Sequence, residues 1–178
     1  NKSFADVPST HWAADTIRQL AAKHLIQGTS ENGFEPARSI TRAEFVKLLA
    51  GVLGLQAQAE LKFSDVPSGV WYEQDLARLV RAGIVGGRTA EHFDPSANIS
   101  RQEIVTMLMR AYVLEHGALQ SSAPATFTDS GEVAAWAADS VNAASSLGLV
   151  NGRTDGNFVP GGLATRAEAA QFILNYIR

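Results

Sequence analysis

The stretch Thr41-Arg42-Ala43-Glu44 returns as Ser100-Arg101-Gln102-Glu103 and again as Thr165-Arg166-Ala167-Glu168, and this recurrence constrains the fold more than any other feature. A hydroxyl residue three positions ahead of Glu is a capping box, in which the hydroxyl accepts from the N3 amide and the Glu reaches back to the N-cap amide. Each copy therefore opens a helix. Apolar residues follow at helical spacing: Phe45, Leu48, Leu49, Val52 and Leu53 in the first copy, Ile104, Met107, Leu108, Ala111 and Tyr112 in the second, Ala169, Phe172, Ile173, Tyr176 and Ile177 in the third. The hydroxyl and the Glu are explained by capping. Arg42, Arg101 and Arg166 are not, because a cation at N1 sits at the positive end of the helix dipole. Two readings stay open. Each guanidinium pairs with a nearby carboxylate, or each joins the exposed first-turn amides in a seat for an external anion, which Arg grips bidentately.

The boxes mark a repeat. Trp12 to Trp71 and Arg42 to Arg101 are both separated by 59 residues, and Trp71 to Trp136 and Arg101 to Arg166 both by 65. The third unit keeps its internal spacing behind a longer connection, and Gly117 to Ala125 has the small-residue composition of a linker. The expected organisation is one pseudo-trimeric domain over 1–178, with repeats at 1–59, 60–116 and 126–178 and the linker at 117–125. Every unit begins Phe-x-Asp (Phe4, Asp6; Phe63, Asp65; Phe127, Asp129), which reads as an Asx-type turn, stiffened by Pro in the first two copies. A Trp then introduces a first helix, with Ala13, Ile17 and Leu20, then Tyr72, Leu76 and Leu79, then Ala137, Val141 and Ala144 on its apolar side. Trp12, Trp71 and Trp136 suit either a core anchor or a flat ligand platform.

Gly28, Gly87 and Gly152 close a Leu/Ile-Ile/Val-x-Gly stop and read as helix C-caps or tight-turn residues. Six residues on comes Phe-x-Pro in every copy, so the three loops share one shape. Ile40 and Ile99 are placed to staple the loop to Phe45 and Ile104, whereas Ala164 against Ala169 is a weak staple. Past the loop glycine the copies diverge: Arg88 and Thr89, Arg153 and Thr154, but Thr29 and Ser30 in the first. The sites are not equivalent.

Composition narrows the function. The 178 residues are 46% hydrophobic with a formal charge of −3, ordinary for one globular domain and opposed to a nucleic-acid or polybasic membrane surface. Any anion recognition is local. Without cysteine there is no disulfide framework, thiolate nucleophile or Cys-based zinc site. No apolar run reaches the ~20 residues of a membrane span and no signal-peptide pattern heads the chain. Asn1 in place of Met reads as a processed or excised fragment. His11, His24, His92 and His116 occupy unrelated places in the repeats and form no metal-binding pair. No cofactor is expected.

The ordered set of Phe-x-Asp, Trp, a Gly stop, Phe-x-Pro and T-R-A-E, three times over nearly the whole chain, resembles the S-layer homology family. Such triplets are similar to the anchoring ends of surface-layer and other cell-surface proteins of Gram-positive bacilli of a Paenibacillus type. The resemblance implies an all-α fold of three helix–loop–helix repeats, a pseudo-threefold three-prong spindle around a central helical bundle, with grooves between repeats. It implies a secreted protein held at the cell wall through a secondary cell-wall polymer bearing pyruvylated N-acetylmannosamine. Carried over residue by residue, Arg42, Arg101 and Arg166 correspond to the polymer-contacting position and Gly28, Gly87 and Gly152 to the groove-lining turn. Trp12, Trp71 and Trp136 offer a face for the sugar ring, and Arg88 and Arg153 add cations in two copies. Departures at Gln102, at Thr29 and at Asn32 and Glu91, which stand in repeats one and two where repeat three has Gly156, put equal affinity in doubt.

An enzyme is the first rival, but capping accounts for Glu44, Glu103 and Glu168, and nothing marks a carboxylate pair across one glycosidic bond. A helical scaffold for other proteins or for lattice self-association is the second. The isolated domain is expected to be a monomer. Within the box, Arg101→Ala is expected to spare stability and Ser100→Ala to reduce it. The groove joining repeat three to repeat one is expected to bind worst, because no chain linkage sets its width.

Overall fold

A computed structural model describes residues 2–120, 123–153 and 155–178. Asn1, Ser121 and Ser122 of the expected linker, and Thr154 of the third loop lie outside the described residues. The fold is all-α, with helices α1 (Ala14–Ala22), α2 (Arg42–Leu53), α3 (Glu73–Arg81), α4 (Arg101–His116), α5 (Ala135–Ser146) and α6 (Arg166–Ile177). Each repeat supplies one short helix, a long ordered loop and one capped helix. The capping box is complete at Thr41 and Glu44, at Ser100 and Glu103, and at Thr165 and Glu168. Among the described residues no helix is long and apolar enough to cross a membrane.

Packing crosses repeat boundaries. Rather than lying on its own partner, each first helix lies on the capped helix of the preceding repeat: α3 on α2, α5 on α4, and α1 on α6, with α6 also touching α2 and α4. The last pair closes the chain into a ring. At the junction of the loops three backbones bond in a cycle, because Ile40 N–H donates to Ala164 O at 3.1 Å, Ala164 N–H to Ile99 O at 3.0 Å, and Ile99 N–H to Ile40 O at 3.0 Å. All three residues are buried. A bulky staple at this position is thus not what matters; Ala164 completes the cycle through its backbone as well as isoleucine does.

The first-turn amides are committed to the next repeat. Arg42 and Ala43 N–H donate to Ala97 and Pro95 O, Arg101 and Gln102 N–H to Gly162 and Pro160 O, and Arg166 and Ala167 N–H to Arg38 and Pro36 O, at 2.8–3.0 Å. The junction between repeats three and one therefore carries the same bonds as the two covalently linked junctions. The expectation that it alone lacks something to set its width is corrected.

Two turn readings also change. The Phe-x-Asp carboxylates close no local Asx turn. Asp6 accepts from Phe34 and Glu35 N–H, Asp65 from Phe93 and Asp94, and Asp129 from Phe158 and Val159, all at 2.7–2.9 Å. Each clamp fixes the Phe-x-Pro loop with its middle residue, Glu35, Asp94 or Val159, at φ near +57°. The helix stop lies earlier than the loop glycine. Left-handed His24, Gly83 and Gly148 end α1, α3 and α5, each donating to a helix carbonyl while the next residue bonds the carbonyl one residue earlier, as in His24 N–H to Ala21 O and Leu25 N–H to Leu20 O. His24 fills a glycine's place at φ 59°. His24→Gly should raise unfolding free energy by about 0.5–1 kcal/mol, read as a higher denaturant midpoint at unchanged slope.

Candidate functional site

The three N1 arginines are buried, at 2%, 3% and 8% exposure, and each reaches into the next repeat. Arg42 Nε donates to Phe93 O at 2.9 Å and Nη1 pairs with Glu103. Arg101 donates to Phe158 O at 2.8 Å, to Glu168, and through Nη2 to Asn151 O at 3.2 Å. Arg166 donates to Phe34 O at 2.9 Å, to Glu44 at 3.4 Å, and through Nη2 to Gln27 O at 2.9 Å. Each guanidinium lies over the aromatic ring whose carbonyl it binds, 4.6–5.1 Å from the centroid. The carboxylate reading is therefore present in all three copies. The seat made of exposed amides is corrected, since the N1 and N2 amides are taken by loop carbonyls and the N3 amide by the cap.

The box Glu thus serves two repeats, capping its own helix and receiving the preceding repeat's arginine. A second cation flanks it: Arg88 at 3.1 Å from Glu103, and Arg153 at 3.1 Å from Glu168. In the first copy Thr29 provides none, and Arg38 approaches Glu44 to 4.0 Å instead. Burial pulls the pKa of all three N1 arginines down against the opposing pull of their glutamates. Burial also pushes Glu103 and Glu168 up, but the cap amides and paired arginines together outweigh it and hold both below the usual range. Asp6 is lowered by its Phe34 and Glu35 amide bonds.

Gly28, Gly87 and Gly152 earn their place by close approach rather than by φ, since none has the positive φ of a turn glycine. A Cβ at Gly28 would fall 2.5 Å from Gly33 O and 2.6 Å from the Phe4 ring, at Gly87 2.2 Å from Thr89 O, and at Gly152 2.7 Å from Asn157 O. Their own N–H groups donate to no acceptor among the described residues.

Two grooves assemble these parts. Groove 1, about 780 Å³, runs along α2 and is lined by Gly28 and Thr29, by Arg166 from repeat three, and by Trp71 and Tyr72 from repeat two. Groove 3, about 660 Å³, runs along α6 and is lined by Gly152 and Arg153, by Arg101 from repeat two, and by Trp12 from repeat one. All three repeats contribute to each. The tryptophans anchor no core; Trp12, Trp71 and Trp136 are 62%, 56% and 57% exposed. In the second copy Arg42, Gly87, Arg88 and Trp136 occupy the corresponding positions, but no bond runs from Arg42 to the carbonyl before the glycine. The Asp clamps and the Arg-to-Glu link between repeats were absent from the sequence-level site, although the 28-residue interval from Asp6 to Phe34 and from Asp65 to Phe93 signals the clamp.

The family model for the S-layer homology domain matches residues 3–46, 62–105 and 126–170. The chain is 35% identical over 173 residues to an S-layer protein of Bacillus anthracis, sap, covering 97% of this chain and 21% of that protein. It is also 35% identical to Exoglucanase XynX of Acetivibrio thermocellus, over 96% of this chain and 16% of the relative, and 36% identical to an amylopullulanase of Thermoanaerobacterium thermosulfurigenes, over 97% and 9%. The chain spans about a fifth or less of each of these three proteins.

The geometry reverses one sequence expectation. Arg101→Ala removes the donor to the Phe158 and Asn151 carbonyls and leaves Glu168 with Arg153 as its remaining cation, and should cost about 2–3 kcal/mol, against about 1 kcal/mol for Ser100→Ala; chemical denaturation of the two variants compares them. Because Asp6, Glu103 and Glu168 have folded pKa values below their unfolded ones, their stabilisation is complete above about pH 4.3 and is lost as pH falls through the lower folded values. Denaturation midpoints followed from pH 7 to pH 2 should hold level and then drop below about pH 4, with a shallower acid limb in Glu168→Gln.

Proposed function

Because this chain belongs to the S-layer homology domain family, we propose that it anchors a larger protein non-covalently to the bacterial cell wall by binding secondary cell-wall polymer. The ligand is the polymer's pyruvylated N-acetylmannosamine end, taken in the grooves between repeats. The parent is a secreted surface protein of a Gram-positive bacterium, and the isolated domain works as a monomer. Relatives that pair such a segment with glucanase or pullulanase names fit a module that holds its neighbour at the wall while chemistry occurs elsewhere. This domain itself catalyses nothing, its box glutamates being held by caps and arginines.

One observation carries the reading. In grooves 1 and 3 the buried arginine grips the carbonyl of Gln27 or Asn151, the residue just before the loop glycine. Since a trans peptide sets its C=O and N–H on opposite sides, the guanidinium that holds the carbonyl directs the Gly28 or Gly152 N–H away from itself. The same bond polarises the peptide and strengthens that N–H as a donor. The arginine therefore acts behind the peptide, while the glycine amide, beside Arg153 in groove 3, faces the anion. An exposed Trp across each groove supplies a flat surface for the C–H face of the sugar. The ketal carboxylate is the part of the sugar that matches a charge-assisted donor.

The second copy lacks the arginine-to-carbonyl bond, so we assign the stronger sites to grooves 1 and 3, with Arg42, Gly87, Arg88 and Trp136 forming a weaker one. This reverses the expectation that the junction of repeats three and one binds worst. Calorimetric titration with the pyruvylated monosaccharide should give about two strong sites. Removing the pyruvyl group should weaken binding roughly 10- to 100-fold, the loss of one charge-assisted hydrogen bond. Gly28→Ala and Gly152→Ala should each remove one site. Equal binding of the sugar with and without its pyruvyl group, or three identical sites, would overturn this account.

A further inference from the structure

Grooves 1 and 3 are built alike at the loop glycine but differ along their floors. Groove 1 is lined along α2 from Ala43 to Gly51 and groove 3 along α6 from Ala167 to Asn175. Eight residues of helix are ~12 Å, longer than one pyranose ring. The lower helix therefore has room for the second unit of a polymer whose end sits at the loop glycine. There groove 1 presents Lys47, 59% exposed, with Nζ 3.7 Å from Asp75. Asp75 is already bonded by Arg78 at 3.2 Å on its own helix, so the local balance is one excess positive charge and Lys47 is the looser partner. In the same register groove 3 presents Gln171, whose Oε1 accepts from Thr16 at 2.6 Å and whose Nε2 donates to Asn175 at 2.8 Å. That floor is a ladder of neutral, mutually satisfied polar groups. In the second copy the position is Thr106, buried and bonded to Gln102 O.

We infer that the two grooves discriminate by the charge of the second saccharide unit. Lys47 makes groove 1 the site for a chain whose second unit bears an anionic substituent, and Gln171 with Asn175 makes groove 3 the site for a neutral second unit. The inference rests on the groove reading above and adds to it. One domain thereby engages polymer ends of two chemistries, and the residue at this register sets which chemistry each groove takes.

The test uses the whole domain and three disaccharides with the same pyruvylated end, their second unit carrying a phosphate, a uronate carboxylate or no charge. In Trp12→Ala, which silences groove 3, the charged probes should bind about 2- to 5-fold tighter than the neutral one, the range of an exposed ion pair. The ratio should shrink as salt rises. Adding Lys47→Gln should bring it to one. In Trp71→Ala, which silences groove 1, the ratio should be one or lower, and adding Gln171→Lys should raise it above one. A preference for phosphate alone or for both anions supports the inference and identifies the source of the charge. A ratio of one in Trp12→Ala, unmoved by Lys47→Gln, overturns the inference and leaves the groove reading standing. Failure of the unsubstituted domain to bind any of the three overturns both.

Discussion

The buried arginine that crosses from one repeat into the next is the interaction on which this structure depends. Each one opposes the dipole of its own helix and gives up its hydration, two costs that a local rule would avoid. The return comes from elsewhere: a phenylalanine ring and carbonyl, and the capping Glu of the neighbouring helix. Ion pairs of this kind add little net stability over an apolar filling, yet stranding one partner costs ~3–5 kcal/mol. A repeat docked in the wrong register strands a buried charge three times over. The arginines therefore specify how the repeats join, and the cycle of backbone bonds through Ile40, Ile99 and Ala164 follows from that docking.

In the function proposed above, the same side chain connects assembly to recognition. In two copies its third nitrogen holds the peptide carbonyl ahead of the loop glycine, so the groove wall is built by a residue of a different repeat from the one whose helix it lines. The glycine leaves room for close approach, and the Asp clamp fixes the other side of the loop. Recognition of an anion by a neutral peptide N–H backed by a buried cation needs no surface field, which agrees with the chain's slight net negative charge.

What could be read from the sequence was local or periodic. Capping boxes, the apolar faces behind them and the 59- and 65-residue intervals fixed helix starts and repeat order, because each rests on neighbours within one turn or on simple recurrence. The N1 arginines stood out as rule-breaking, but their partners lie 50 to 139 residues away, beyond any local pattern. The first-turn amides looked free for the same reason. Gly28, Gly87 and Gly152 were read as helix stops or turn residues, but the left-handed stop falls at His24, Gly83 and Gly148, and the loop glycines are required by space. The exposed tryptophans remained ambiguous, since a Trp heading an amphipathic helix suits a core or a surface until the packing partner is known.

The central claim is that the glycine amides in grooves 1 and 3 meet the ligand's carboxylate. Amide proton and nitrogen shifts of the domain followed during titration with pyruvylated N-acetylmannosamine test it most directly. The Gly28 and Gly152 amide protons should move downfield with the same dissociation constants as the two strong sites, while Gly87 moves less and at higher sugar concentration. Saturable binding that leaves the Gly28 and Gly152 amide shifts unmoved would contradict the claim.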